Sequence, residues 1–283
     1  MEVEILARTP ITFVGVDGSM QHAPLVAASV ADRETLLVLD TGSEVHLLTE
    51  ELATELGLAL EEGEEGVDHS GAAMPSWSLG VVPLTLGGAP LELRDGVSIP
   101  APAPFPRRGI GGILSPQHLH PTAFAVIDLA AEELLLVEGR DDAVASWLAD
   151  RSPALTTLLL ARDPSFPSVV VPAAVRPFDE LPTLLNTGGK RTEFSRSAVP
   201  GLGDGSTERL GGGVSGADVL GSSAGARVLT VAACDVPVAD LAVREEMHDP
   251  QGMVGADVLR GTVLACAADR SRLVVWQVPA RGP

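Results

Sequence analysis

The residues best suited to chemistry lie in one short stretch that occurs twice. Residues 35–43 read TLLVLDTGS, and residues 181–189 read LPTLLNTGG. Each copy is an apolar run that ends in Asp or Asn followed by Thr-Gly, so Asp40 in the first copy corresponds to Asn186 in the second. If the two turns face each other, they form the frame of a two-carboxylate hydrolytic site with one carboxylate missing.

The chemistry of such a frame depends on proton sharing. Two carboxylates about 3 Å apart cannot both be ionised, so one acts as general base on water while the other donates a proton to the scissile carbonyl. Gly42 and Gly188 permit tight turns. The hydroxyl of Thr41 can donate to the opposite loop, and Thr187 is its counterpart. These four residues are predicted to support the site.

Asn186 changes that chemistry, because an amide neither holds nor releases the shared proton. Without a neighbouring carboxylate, Asp40 is expected to remain ionised and at best to polarise a water molecule. The general-acid role is then unfilled, which typically costs about 10²–10⁴ in rate, and more where residues act as a unit. We expect little or no hydrolysis from the chain as written.

A second pair of matching stretches indicates an internal duplication. Residues 112–119 read GILSPQHL and residues 252–259 read GMVGADVL. Gly112 follows Asp40 by 72 residues, and Gly252 follows Asn186 by 66. Two landmarks in the same order at similar spacing predict a repeat of about 120–140 residues. We expect an N-terminal lobe over residues 1–150 and a C-terminal lobe over 151–283.

These motifs resemble those of the aspartic peptidases, both pepsin-like and retroviral-type. The Asp40-Thr-Gly-Ser43 turn after an apolar strand is similar to their active-site signature. The segments 112–115 and 252–255 look like their second element, which packs behind each catalytic loop. The resemblance implies an all-β, bilobal acid-protease fold with few short helices and two lobes related by a pseudo-twofold axis. It also implies a cleft between the lobes for an extended polypeptide.

The resemblance further assigns supporting residues and shows departures from the family. It implies that the Ser43 hydroxyl bonds Asp40, that one flap lies within residues 68–77, and that its counterpart is a hairpin at 203–216. Candidate flap or cleft residues are His69, Trp77, Gly211 and Gly212. Asn186 replaces the second Asp, and Ser115 replaces the first lobe's glycine. The chain has no tyrosine for the pepsin-type flap.

Composition restricts the partners. The formal net charge of -19 argues against nucleic acid and anionic membrane surfaces. No apolar run approaches the ~18 residues of a membrane helix, and residues 1–5 do not resemble a signal peptide. A cytoplasmic protein with reduced Cys234 and Cys266 is therefore expected.

The spacing of cysteines and histidines predicts no metal or cofactor, and His46 and His69 are expected on the surface near the cleft. One chain supplies both loops, so we expect a monomer.

Most other segments read as short strands, among them residues 3–7, 11–16, 25–30, 35–39, 80–86, 91–97, 155–160, 169–175, 183–185 and 227–234. Helices are predicted at 49–58 and 141–148. The proline-rich segment 100–106 reads as a stiff extended loop. The glycines of 211–216 fit a hairpin tip better than a dinucleotide loop, since neither the strand nor the helix of that motif flanks them.

Three functions remain open at this level. The first is a peptidase-like protein that binds an extended polypeptide without efficient cleavage. The second is an authentic aspartic endopeptidase in which Asn186 is an inactivating substitution. The third is a scaffold or interaction protein with a closed cleft.

Overall fold

The computed structural model describes residues 3–13, 22–63, 65–68, 70–203, 206–212, 215–245, 247 and 249–279. Strands make up 46% of the structure and helices 10%. The predicted all-β class with few short helices is thereby confirmed.

The strands of the first half lie within residues 4–138. In chain order they are β1 (Glu4–Thr12), β2 (Leu25–Val30), β3 (Arg33–Leu39), β4 (Leu47–Thr49), β5 (Leu60–Glu62), β6 (Gly66–Val67), β7 (Ala73–Met74), β8 (Trp77–Leu79), β9 (Val82–Leu86), β10 (Ala89–Leu93), β11 (Val97–Ile99), β12 (Ile110–Leu114), β13 (Phe124–Asp128) and β14 (Glu133–Glu138).

The strands of the second half follow the helix that joins the halves. They are β15 (Leu155–Leu160), β16 (Val170–Val175), β17 (Leu181–Leu185), β18 (Glu193–Ser195), β19 (Glu208–Gly212), β20 (Asp218–Ser223), β21 (Arg227–Val231), β22 (Cys234–Val238), β23 (Ala242–Arg244), β24 (Gly252–Val254), β25 (Val263–Ala267) and β26 (Val274–Pro279). The helices are α1 (Glu50–Glu55), α2 (Asp141–Arg151) and α3 (Ala256–Leu259), with 3-10 turns at Pro106–Arg108 and Pro116–His118.

The two halves repeat one pattern of strand pairing. In the first, β2 pairs with β3, β3 runs parallel to β12, β12 runs antiparallel to β4, and β4 runs parallel to β11. In the second, β16, β17, β24, β18 and β23 pair in the same order and directions. The hairpin β9–β10 adds to β2 just as the hairpin β21–β22 adds to β16. The duplicated sequence motifs therefore occupy equivalent strands.

A sheet formed by both halves joins the repeats. Its order is β15-β26-β25-β13-β14-β1, and β13 pairs with β25 at its centre. That antiparallel pair places Val126 opposite Ala265. On one side β14 and then β1 follow β13, and on the other side β26 and then β15 follow β25. Helix α2 covers the sheet, burying Val144 and Leu148 against residues of both halves.

Several predicted elements have different bounds in the structure. Residues 227–234 were expected as one strand but form β21 and the start of β22, because Ala232 and Ala233 turn the chain with φ of 46° and 63°. The expected strands 3–7 and 11–16 are one strand, β1, as far as the described residues reach. The helix expected over 49–58 ends at Glu55, where Leu56 caps it, and Gly57 has a φ of 65°.

Candidate active site

The two motif loops leave their strands in the same way. Asp40 follows β3, and its N–H donates to the carbonyl of Leu114 on β12 at 2.9 Å. Asn186 follows β17, and its N–H donates to the carbonyl of Val254 on β24, also at 2.9 Å. Each loop is therefore positioned by a buried parallel strand pair from its own half.

Two threonines tie the loops to each other. The Thr187 hydroxyl donates to the carbonyl of Leu39 at 2.8 Å, and the Thr41 hydroxyl donates to the carbonyl of Leu185. In return, the Thr41 N–H donates to Thr187 Oγ1 at 3.1 Å and the Thr187 N–H donates to Thr41 Oγ1 at 3.0 Å. Both side chains are buried. The four bonds hold the two loops in a fixed relation across the junction of the halves.

Asp40 and Asn186 are held by equivalent backbone donors. The Gly42 N–H donates to Asp40 Oδ1 at 2.8 Å. The N–H groups of Gly188 and Gly189 both donate to Asn186 Oδ1, each at 2.9 Å. Those two donors fix the orientation of the amide, because only its oxygen can accept them. The amide nitrogen is therefore on the opposite side, 3.3 Å from the sulfur of Met253.

The Asp40 and Asn186 side chains both lie close to Gly42, and Asp40 also lies close to Gly188 of the opposing loop. A Cβ atom on Gly42 would lie 2.7 Å from Asn186 Nδ2 and 3.0 Å from Asp40 Oδ1. A Cβ atom on Gly188 would lie 2.5 Å from Asp40 Oδ2. Glycine is required for this close approach of the loops. Gly42 and Gly188 have no positive φ, so the turn conformation expected from the sequence is not the reason for them.

The pKa of Asp40 is raised, chiefly because burial disfavours the charged carboxylate. Hydrogen bonds from the backbone of Gly42, Gly188 and Ser43 oppose this rise without cancelling it. The sequence had suggested an Asp40 that simply stays ionised once the second carboxylate is lost. Desolvation supplies an independent reason for Asp40 to retain its proton to higher pH.

Ser43 does not have the role that the resemblance gave it, whereas Ser115 is accommodated where the resemblance has glycine. The Ser43 hydroxyl donates to the carbonyl of Val45 at 2.7 Å, so it is directed away from Asp40, which Ser43 contacts through its backbone. The Ser115 hydroxyl donates to the Ser43 carbonyl at 2.7 Å. At the matching position, a Cβ on Gly255 would lie 2.4 Å from the carbonyl oxygen of Arg191. The first half therefore accommodates serine where the second requires glycine.

The predicted flap segments form two hairpins, β6–β7 and β19–β20. Their tips meet where the Ser215 N–H donates to Asp68 Oδ2 at 2.8 Å. Trp77 lies outside the tip, on β8, where it pairs with Glu62 and Ser98. Gly211 and Gly212 lie on β19 beside a register shift. His69 lies outside the described residues.

Three titratable groups near the loops were either misplaced or missed by the sequence analysis. His46, expected on the surface, is buried, and burial lowers its pKa to about 4. His22 hydrogen-bonds to the backbone of Gly188, while burial and the charge of Lys190 lower its pKa. Burial raises the pKa of Glu193 to about 7, although Arg244 opposes the rise. None of them lies at a diagnostic spacing in the sequence, so only the fold reveals their position.

Glu193 and Arg244 form a buried pair in the second half, with Arg244 Nη1 3.8 Å from Glu193 Oε2. In the part of the chain that the structure describes, no cluster of His, Cys, Asp or Glu could hold a metal ion. Within the same part, no helix is long and apolar enough to cross a membrane.

Two surface depressions lie away from the paired loops. One is lined by residues 139–142, 159, 269, 272 and 273, and the other by residues 177–181, 197, 198, 200 and 251. Neither is lined by Asp40 or Asn186. The paired loops therefore line neither depression.

Comparison with known proteins gives no family assignment: no protein-family model matches the chain, and no curated protein matches it significantly.

Proposed function

We propose that this chain is an aspartic-peptidase-like protein with a bilobal acid-protease fold, whose groove between the halves binds an extended polypeptide. Asn186 leaves it with little or no hydrolytic activity. The observation that carries the proposal is the reciprocal Thr41–Thr187 bonding, which presents one carboxylate and one amide side by side on equivalent loops. Resemblance of the motifs and repetition of the strand pairing support the same proposal.

The paired groups can bind a peptide but complete only half of the chemistry. Asp40 can accept a hydrogen bond or, when protonated, donate one. Asn186 Nδ2 can donate to a carbonyl oxygen, as a protonated carboxyl would, but it gives up no proton. Stabilising charge on the carbonyl without transferring a proton leaves the tetrahedral intermediate unable to collapse efficiently. With Asp40 paired to Asn186, the chain is expected to bind a peptide without hydrolysing it.

The polypeptide is proposed to bind in extended form, as strands do when they add to an exposed edge. The hairpins β6–β7 and β19–β20 offer main-chain donors and acceptors that side-chain sequence does not alter. Binding would therefore depend mainly on backbone hydrogen bonds, with modest sequence preference.

One observation favours authentic peptidase activity as the second candidate. The Asn186 amide accepts the same kind of backbone N–H bonds as the Asp40 carboxylate, at nearly the same distances. A carboxylate at position 186 would fit without rearrangement of the loop. In this second candidate, Asn186 is an inactivating substitution in a working endopeptidase.

The test is Asn186→Asp, assayed beside the unchanged chain on a library of unstructured peptides from acid to neutral pH. Peptide binding without cleavage by the unchanged chain supports the first proposal. Cleavage gained by Asn186→Asp, and lost again in Asp40→Asn/Asn186→Asp, supports a site that is one substitution from activity. Neither binding nor cleavage by any variant contradicts both and favours a scaffold role.

A further inference from the structure

Asn186 is the only asparagine among the 283 residues of the chain. It lies where the first half has Asp40. The side chain of asparagine is itself an amide, and one hydrolysis converts it to aspartate, because water replaces the nitrogen and ammonia leaves. The groups that surround Asn186 therefore decide whether this amide bond is stable.

The amide oxygen of Asn186 lies in a site that favours negative charge. The N–H groups of Gly188 and Gly189 both donate to Oδ1, each at 2.9 Å. Two converging backbone donors stabilise the oxyanion that forms when water adds to an amide carbon. The same donors polarise the carbonyl group before any reaction, so the amide is already held in an orientation suited to its own hydrolysis.

The amide nitrogen is held less firmly than the oxygen. Among the described residues, its hydrogen-bond partner is the sulfur of Met253, 3.3 Å from Nδ2. A thioether sulfur is a weak acceptor, and Asn186 is only 8% exposed to solvent. The nitrogen therefore loses little hydrogen bonding when it leaves as ammonia.

The carboxylate of Asp40 lies beside this amide. Asn186 Cγ is 2.8 Å from the position that a Cβ on Gly42 would take, and Asp40 Oδ1 is 3.0 Å from the same position. The reciprocal bonds between Thr41 and Thr187 hold the two loops in this relation. Burial raises the pKa of Asp40, so its ionised carboxylate is a stronger base than an exposed one.

The ordinary route of asparagine loss is obstructed at this position. In that route the backbone nitrogen of the next residue attacks Cγ, and the cyclic imide that forms opens to a mixture of aspartate and isoaspartate. Here the Thr187 N–H donates to Thr41 Oγ1 at 3.0 Å, and Asn186 Oδ1 is held by two other donors. Ring closure would break these bonds, whereas attack by water leaves them intact.

We propose that Asn186 is a self-modification site, at which Asp40 activates a water molecule that hydrolyses the side-chain amide and leaves a second carboxylate. The water oxygen bonds to Cγ while Asp40 takes a proton from the water. The Cγ–Nδ2 bond then breaks, and Asp40 returns that proton to the nitrogen, so the products are a carboxyl group at position 186 and ammonia. Only the consequence, a working pair of carboxylates, rests on the proposed function.

Mass spectrometry of residue 186 tests the reaction. The chain is purified in guanidinium chloride, and folding is started by dilution into water labelled with heavy oxygen. We expect the folded chain to convert about 10²–10⁴-fold faster than the chain kept in guanidinium chloride, as is typical of positioned proton transfer. The new carboxyl group should contain heavy oxygen, and isoaspartate should not form.

Two variants provide the controls. Asp40→Asn keeps the size of the side chain but removes the base, so conversion at Asn186 should lose this acceleration while circular dichroism shows a folded chain. Asp179→Asn adds an asparagine at an exposed position of the second half. That residue should convert no faster in the folded chain than in guanidinium chloride, and it should give isoaspartate together with aspartate. Conversion at Asn186 that is no faster on folding, or equally fast in Asp40→Asn, would overturn the proposal.

Peptide cleavage separates this inference from the proposed function, with Asn186→Asp as the fully converted reference. Cleavage of unstructured peptides that increases in step with conversion supports both. Conversion without cleavage supports the modification and contradicts a site that is one substitution from activity. Peptide binding without conversion supports the proposed function and overturns the modification.

Discussion

His46 and Thr192 occupy equivalent positions in the two halves, and each accepts a hydrogen bond from a backbone N–H. The Ser115 N–H donates to His46 Nδ1 at 3.3 Å, and at the equivalent place the Gly255 N–H donates to Thr192 Oγ1 at 3.2 Å. The other ring nitrogen of His46 lies 3.3 Å from the carbonyl oxygen of His118. Since one ring nitrogen accepts and the other donates, the pattern fits a neutral imidazole. His46 is thus a buried structural group rather than part of the cleft surface.

This role predicts acid sensitivity. The pKa of His46 is about 4 in the folded chain against 6.5 for the free side chain, because burial disfavours the cation. The unfolded chain therefore takes up this proton first, and the contribution of His46 to stability falls as pH drops from 6.5 towards 4. We expect His46→Thr to be less stable than the unchanged chain near neutral pH, because threonine is smaller than histidine. The difference in the free energy of unfolding between the two chains should decrease by about 3 kcal/mol as the pH falls from 6.5 towards 4.

Urea unfolding at several pH values measures the effect. Thr192→Ser serves as the matched control, since it retains the hydroxyl that accepts the Gly255 N–H and its difference from the unchanged chain should not vary with pH in this window. A constant difference between His46→Thr and the unchanged chain would contradict a neutral, buried His46.

The reciprocal loop contact is the element-scale feature most open to test. Thr187→Val keeps the shape of the side chain but removes the donor to the Leu39 carbonyl and the acceptor of the Thr41 N–H. Both backbone groups would be left buried without a partner, which should lower the free energy of unfolding by about 3 kcal/mol. Thr41→Val should cost a similar amount, and the double variant less than the sum, because the two hydroxyls share one network.

Thr35→Val provides the control, because the Thr35 hydroxyl donates to the Gly109 carbonyl at an exposed position. It should change stability by about 0.5 kcal/mol or less. Additive losses in the Thr41→Val/Thr187→Val chain would show that the two loops are held independently.

The sequence predicted the elements that have a strong local pattern. The apolar runs of β2, β3 and β15 were predicted at residues 25–30, 35–39 and 155–160, with bounds close to those in the structure. The motif also predicted that Thr41 would reach the opposite loop. All of these signals depend on a few adjacent residues.

What the sequence did not predict depends on partners distant in the chain. Strands β4, β11, β18 and β23 have three residues each, too few for an alternating pattern, and they exist because parallel neighbours complete their hydrogen bonds. The turn at Ala232 and Ala233 lacks the glycine or asparagine that usually marks positive φ. The burial of His46 likewise depends on residues 115 and 118, which no local pattern connects to it.

The halves are continuous at the scale of the whole molecule. The repeated motifs predicted two lobes, yet one cluster of buried apolar side chains includes Leu39 and Leu84 of the first half together with Leu185, Val243 and Trp276 of the second. The sheet through β13 and β25 joins them further. Because buried apolar side chains of both halves belong to one cluster, separation of the halves would expose apolar surface to water and should be unfavourable.

This continuity predicts one cooperative unfolding transition. The three tryptophans report on different places: Trp77 on β8 in the first half, Trp147 on α2 between the halves, and Trp276 on β26 in the joining sheet. Chains that retain one tryptophan each, with the others replaced by phenylalanine, should each give a fluorescence transition in urea that coincides with the loss of far-ultraviolet circular dichroism from the same chain. If the fluorescence of the Trp77 chain changes at a lower urea concentration than its circular dichroism, the first half unfolds alone. The common core would then not couple the repeats.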